Sequence, residues 1–201
     1  MDPVFTIPYT ELRSMEILDE MIKKVAKGVA KEKGEKVGSL KDVCSSHIPV
    51  SRQQKGFDFI VVREEFLENP RIFKTVQVKG SRAYYSDGKK SDKFKYTLSF
   101  GRFKVPDNAD YFIFIGLFPD YYHGVRVDKA EWRPVTLLLT NSELTELFSR
   151  LKTKKGTEET RFYTSFNSPD ELYLTRGSEN PEGESISHFL ISKERVQLLF
   201  F

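Results

Sequence analysis

The segment Ala109 to Phe118, ADYFIFIGLF, most constrains what this chain can become. It is a continuous apolar and aromatic run, set between Asp107-Asn108 on one side and Pro119 on the other. A strand with one wet face alternates apolar and polar residues, and this run does not alternate, so it reads as a central strand buried on both faces. Such a strand needs cover above and below. Helical patterns supply it: Met15, Leu18, Ile22, Val25 and Val29 recur at spacings of three and four over a helix from about Thr10 to Lys33. A second helix follows the apolar strand Val135 to Leu139, with Thr140, Asn141 or Ser142 as its cap and Leu144, Leu147, Phe148 and Leu151 as its buried face, over SELTELFSRLKTKK. The expected fold is therefore α/β, a central mixed β-sheet flanked by helices.

With 201 residues, 39% of them hydrophobic, the chain can bury one core without disulfides and is expected to be a single domain, 1–201. Its lone cysteine, Cys44, excludes an internal disulfide and any cysteine-rich metal cluster, and fits a reducing, cytoplasmic setting. The first residues lack a signal-peptide pattern, and no apolar run reaches membrane-spanning length, so no membrane partner is expected. Lys33 to Lys55, with Gly34, Gly38 and Pro49, reads as a loop. Cys44 and His47 lie three residues apart there without a second pair, which points to a structural role over zinc. Lys41, Arg52 and Lys55 either touch a phosphate backbone or simply solvate the loop.

The chemistry concentrates between Gly56 and Ser81, GFDFIVVREEFLENPRIFKTVQVKGS, two strands joined by a short connection. Asp58 begins the first strand, and Gln77 and Lys79 lie near the end of the second. Side chains at i and i+2 share a face, so Gln77 and Lys79 project together while Val76 and Val78 turn to the other side. A sheet does not bury an aspartate and a lysine without compensation, and a site is the simplest compensation.

These residues resemble the PD-(D/E)XK superfamily of metal-dependent nucleases, in its variant with Q-x-K in place of E-x-K. The resemblance rests on Asp58 separated by 18 residues from Gln77-Val78-Lys79, and it covers about residues 10 to 155. It implies a restriction endonuclease-like core and a Mg²⁺-dependent DNA endonuclease, foremost a type II restriction enzyme acting in a restriction system on a short site in double-stranded DNA. Homing or junction-resolving nucleases on the same core remain alternatives, as does a non-catalytic DNA-binding protein with a decayed site. It further implies that Asp58, Gln77 and the Val78 carbonyl hold the metal and that Lys79 orients or deprotonates the attacking water. An acidic residue of the first helix, Glu11 by its facing, would join them, with Glu16 and Glu20 as other choices. On the residues alone, Glu11 reads equally well as a first-turn carboxylate facing the helix dipole. Two-fold symmetry on palindromic DNA would call for a homodimer.

Charge is unevenly spread. From Arg71 to Lys104 ten basic residues face two acidic ones, a balance of +8, whereas from Thr157 onward eight acids face four bases, a balance of −4. The positive field lies beside the suspected site, as a phosphate polymer requires. After Lys79 the sequence predicts a hairpin turning at Asp87-Gly88, whose Arg82, Tyr84, Tyr85, Lys89, Lys90, Lys93 and Lys95 are the candidate DNA contacts. Phe94, Tyr96 and Phe100 stand among them, either as further contacts or as cross-strand pairs. His123, in a loop from Pro119 to Gly124, reads more readily as a packed or surface histidine than as a contact. The acidic segment 156–201 carries no recognised motif; its apolar end is expected to pack on the core or at a dimer interface.

Overall fold

The computed structural model describes residues 3–35, 43–49, 56–85, 93–103, 109–120, 131–151, 160–176 and 183–201. Two five-stranded sheets and three α-helices make up these parts. Helix α1 (Pro3–Glu32) is followed by β1 (Cys44–His47), β2 (Phe59–Arg63) and β3 (Ile72–Arg82). Then come β4 (Tyr84–Tyr85), β5 (Tyr96–Phe103), β6 (Tyr111–Asp120), β7 (Glu131–Thr140) and α2 (Asn141–Arg150). The chain ends with β8 (Thr160–Ser168), β9 (Glu171–Arg176), β10 (Glu184–Ser185), a 3-10 turn over Ser187–Phe189 and α3 (Lys193–Phe200).

The first sheet runs in the order β1-β2-β3-β6-β7 and is mixed: β1, β2 and β3 form an antiparallel meander, β6 lies parallel to β3, and β7 returns antiparallel along the edge. The α/β fold with a central mixed sheet and helices is thus present. As its sequence demanded, β6 sits inside the sheet, buried from Tyr111 through Pro119. Its two faces go to two separate cores. Tyr111, Ile113 and Ile115 join Leu18, Ile22, Val25 and Ala26 of α1 and Val196 and Phe200 of α3. Phe112, Phe114 and Phe118 face the second sheet and α2, meeting Tyr96, Leu98, Phe100, Phe166, Leu144 and Leu147. Each fully buried Phe or Ile contributes about 1.5–3 kcal/mol, which is why one strand can fix both layers.

The second sheet, β10-β9-β8-β5-β4, was not foreseen. It forms because the acidic segment packs on the core as strands, with β8 pairing antiparallel to β5 across some sixty residues of sequence. Gly116 marks the closest approach of the layers: a Cβ there would meet Leu98 side-chain atoms at 2.3 and 2.7 Å.

Several local expectations are corrected. Helix α1 begins at Pro3, not near Thr10, because Pro is compatible with a first helical position. The stretch read as loop contains β1, which pairs with β2 from Cys44↔Arg63 to His47↔Ile60. Cys44 is buried there, and burial, with Asp19 beside it, pushes its thiol up to about 12. Strand β6 continues through Pro119 and Asp120, and β7 starts at Glu131 with Pro134 inside it, a position an edge strand accepts. Helix α2 stops at Arg150, short of the expected end, since Leu151 takes an extended backbone. Thr140 is its cap: the hydroxyl accepts from the Glu143 amide at 3.2 Å, and the Glu143 carboxylate accepts from the Thr140 amide at 2.8 Å. Arg195 of α3, 7% exposed, pairs with that same Glu143 and donates to the Leu138 carbonyl at 3.0 Å. Burial acts to lift Glu143, but the bonds from Arg195 and Thr140 hold its carboxyl below the ordinary value.

Candidate functional site

The site begins with the register of β2 on β3. The last ladder pair is Phe59↔Val76, and the Asp58 amide extends it by donating to the Val76 carbonyl at 2.8 Å. Asp58, just before β2 begins at Phe59, therefore lies against β3 at Val76, as Phe59 does. Its Oδ2 accepts the Val78 amide at 2.6 Å, filling a backbone bond that a longer β2 would have supplied. By strand alternation the Val78 carbonyl points to this same unpaired edge.

Burial divides β3 as its sequence spacing predicts. Val76 is 0% and Val78 7% exposed, both in the α1 core, while Gln77 and Lys79 are half-buried on the other side. Parallel pairing places Gln77 beside Phe112 and Lys79 beside Phe114, whose rings belong to the core under the second sheet. The polar trio thus sits at the rim of an apolar layer. Two signs of desolvation follow. The Asp58 carboxyl is raised above its ordinary value, chiefly by burial, with the Val78 amide and the nearby Lys79 ammonium working in the opposite direction. Gln77 Oε1 is buried and has no hydrogen-bond partner.

An orphaned amide oxygen beside a desolvated carboxylate suits a hard cation, and the donor set of Asp58, Gln77 and the Val78 carbonyl is all oxygen, as Mg²⁺ prefers. The three are few and only one is charged. Among the described residues no three His, Cys, Asp or Glu side chains group to hold a metal by themselves.

Glu11 is half-buried on α1. Because α1 starts at Pro3, Glu11 lies beyond the first turn, and the dipole reading loses its basis. Its neighbour Thr10 abuts Gly80, where an added Cβ would meet the Thr10 side chain at 3.0 Å, so this part of α1 is carried next to the Lys79 end of β3. Glu16 is exposed and pairs with Arg13 at 2.9 Å, and Glu20 is exposed as well, so neither is turned into the sheet.

The expected DNA contacts are only partly brought together. Arg82 ends β3, and Lys93 and Lys95 lie just before and beside β5, their ammonium groups over the rings of Phe94 and Tyr96 at 5.5 and 5.2 Å. Tyr84 and Tyr85 pair with Thr97 and Tyr96, so the two arms of the hairpin are present. Its turn, with Lys89 and Lys90, lies outside the described residues, as do Lys41, Arg52, Lys55 and His123. Of the two readings of Tyr96 and Phe100, the structure takes the cross-strand one: they are 3% and 1% exposed and are registered opposite Phe166 and Phe162. The reading of the sequence passed over Trp132, which is 41% exposed with the Arg82 guanidinium 5.7 Å from its ring centre; an isolated Trp before a proline gave no pattern that would have singled it out.

No helix among the described residues is long and apolar enough to cross a membrane. No protein-family model matches the chain, and neither a curated protein nor a solved structure matches it.

Proposed function

We propose that this chain is a metal-dependent DNA endonuclease related to the PD-(D/E)XK superfamily, with Mg²⁺ as its ion and a short site in double-stranded DNA as its substrate, in the manner of a type II restriction enzyme. The observation that carries this is the Asp58 carboxylate, bonded to the Val78 amide just before β2 begins, with Gln77 and Lys79 on either side of Val78 in the chain, the Gln77 Oε1 buried without a partner and the Lys79 ammonium acting on the carboxyl. The order of the meander and the parallel β3–β6 pair support the same reading.

Asp58, Gln77 and the Val78 carbonyl would hold the ion. When bound, Mg²⁺ supplies charge neutralisation at a phosphate oxygen and a more acidic water. The chain's own contribution is positional. Asp58 is fixed by the Val78 amide, so its carboxylate enters the site with one geometry. Lys79, on the same face two residues from Gln77, orients the attacking water and offsets negative charge that grows on the phosphate. The basic stretch from Arg71 to Lys104 draws the polymer in. For a palindromic site the working form is a homodimer, one site per strand.

A second reading has its own observation. Gln77 offers a neutral amide where a carboxylate would bind a cation more strongly, which favours a DNA-binding protein that does not cut. One experiment separates them: purified protein incubated with mixed plasmid and phage DNA in Mg²⁺. The nuclease reading expects discrete fragments that disappear with EDTA and in Lys79→Ala. Intact DNA under all conditions, with retained binding in a gel shift, would establish the binder instead.

A further inference from the structure

We infer that Arg82 and Trp132 form a stacking platform for an unpaired base, so that the nucleic acid engaged at this end of the sheet is single-stranded or locally opened. The inference rests on the proposed nucleic-acid function and adds a subsite and a substrate form to it. Trp132 is the only tryptophan in the chain and is 41% exposed, on the edge strand β7. A tryptophan ring is the largest apolar surface a side chain can bury, and leaving this one half in water forgoes that gain. Arg82 lies 5.7 Å from the ring centre and supplies a cation and a planar donor fork beside it. Arg133 nearby is held by Asp120 at 3.0 Å and Glu131 at 3.7 Å, and among the described residues Arg82 is the cation recorded over the ring.

Position favours the same ligand. Arg82 is three residues beyond Lys79 on β3, about 10 Å along the strand, and is registered with Leu117 of β6, which is registered in turn with Pro134 of β7. The platform therefore sits past the carboxyl ends of the parallel pair β3 and β6, the side of an open sheet where ligands collect. Arg82 and Trp132 stand on the face of the sheet opposite Lys79, so a strand that reaches both passes round this end of the sheet and brings an unpaired base over Trp132. Base pairs in a closed duplex hide their faces, and only an unpaired base can lie on the ring.

Trp132 itself reports the result, because stacking quenches its fluorescence. In EDTA, titration with a short oligothymidylate is expected to quench saturably, while a closed A·T hairpin duplex is not. Binding of the fluorescein-labelled strand, read by anisotropy, is expected to weaken about 5- to 150-fold in Trp132→Ala at unchanged thermal midpoint, with a smaller loss in Arg82→Gln. No quenching, equal quenching by the duplex, or unaltered strand affinity in Trp132→Ala would overturn the inference, and the first two need no variant to fold. The readout is independent of cleavage. Quenching by a protein that never cuts would leave the platform standing and remove the nuclease; fragments without quenching would do the reverse.

Discussion

The two faces of β3 are built from alternate residues of one strand and do opposite work. On the α1 side, Val76 and Val78 meet Ile113 and Ile115 in a dry core whose members are at most a few per cent exposed. On the other side, Gln77 and Lys79 stand half-buried with Asp58, at the rim of the Phe112 and Phe114 layer. The comparison shows how a period of two lets a single strand be both scaffold and carrier of the proposed site. The dry face fixes the backbone, and the polar face inherits that rigidity. The cost is local: an orphaned amide oxygen and a carboxyl lifted by burial, both of which a bound cation would relieve.

Substitutions on the two faces should therefore separate. The largest effect is expected from Lys79→Ala, a loss of about 10²–10³-fold in cleavage, as for removal of one charge-stabilising group, with the thermal midpoint little changed. On the opposite face, Ile113→Ala removes a side chain that is 0% exposed and should cost about 2–5 kcal/mol in chemical unfolding, while cleavage per folded molecule persists. If Ile113→Ala abolished cleavage in protein that remained folded, the division between faces would fail. Away from β3, Arg195→Ala strands Glu143 in its pocket and should cost about 3 kcal/mol, the lower end for breaking a buried pair that is partly open on one side.

The smallest effect has the most informative sign. Since Asp58 titrates above its ordinary value when folded, the folded state binds the proton more tightly than the unfolded one, and ionising Asp58 opposes folding. Its stabilising contribution is complete below the ordinary carboxylate range, about pH 4, and is lost as pH rises through the raised folded value. Asp58→Asn, which keeps an acceptor for the Val78 amide, should raise the melting temperature by a few degrees at neutral pH and lose that advantage on acidification. Added Mg²⁺ should stabilise the wild type and leave Asp58→Asn unmoved. A melting temperature that falls in Asp58→Asn at neutral pH would contradict the burial account.

What was legible in the sequence follows from the range of each signal. That Gln77 and Lys79 share the face of β3 away from α1 needed only the alternation of a strand, and the depth of β6 needed only its unbroken apolar run. The core stripe of α1 was equally local, although its first member, Met15, lies well past the helix start at Pro3. Strand β1 was missed because CSSH has no apolar alternation and becomes a strand only by pairing along β2. The second sheet was missed for a stronger reason. Its central pairing joins β5 to β8, far apart in sequence, and no residue pattern within either strand names its partner. Trp132 becomes meaningful only once β3 and β7 share a sheet and Arg82 reaches its ring.

The most direct test of a cation held on one face of β3 is calorimetric titration of the purified chain with Mg²⁺, and with Mn²⁺ as a tighter probe, alongside Asp58→Ala and Val76→Ala. Saturable binding in the wild type and in folded Val76→Ala, lost in Asp58→Ala, is the predicted result. Absence of binding in the wild type, or binding that survives Asp58→Ala unchanged, would contradict the account.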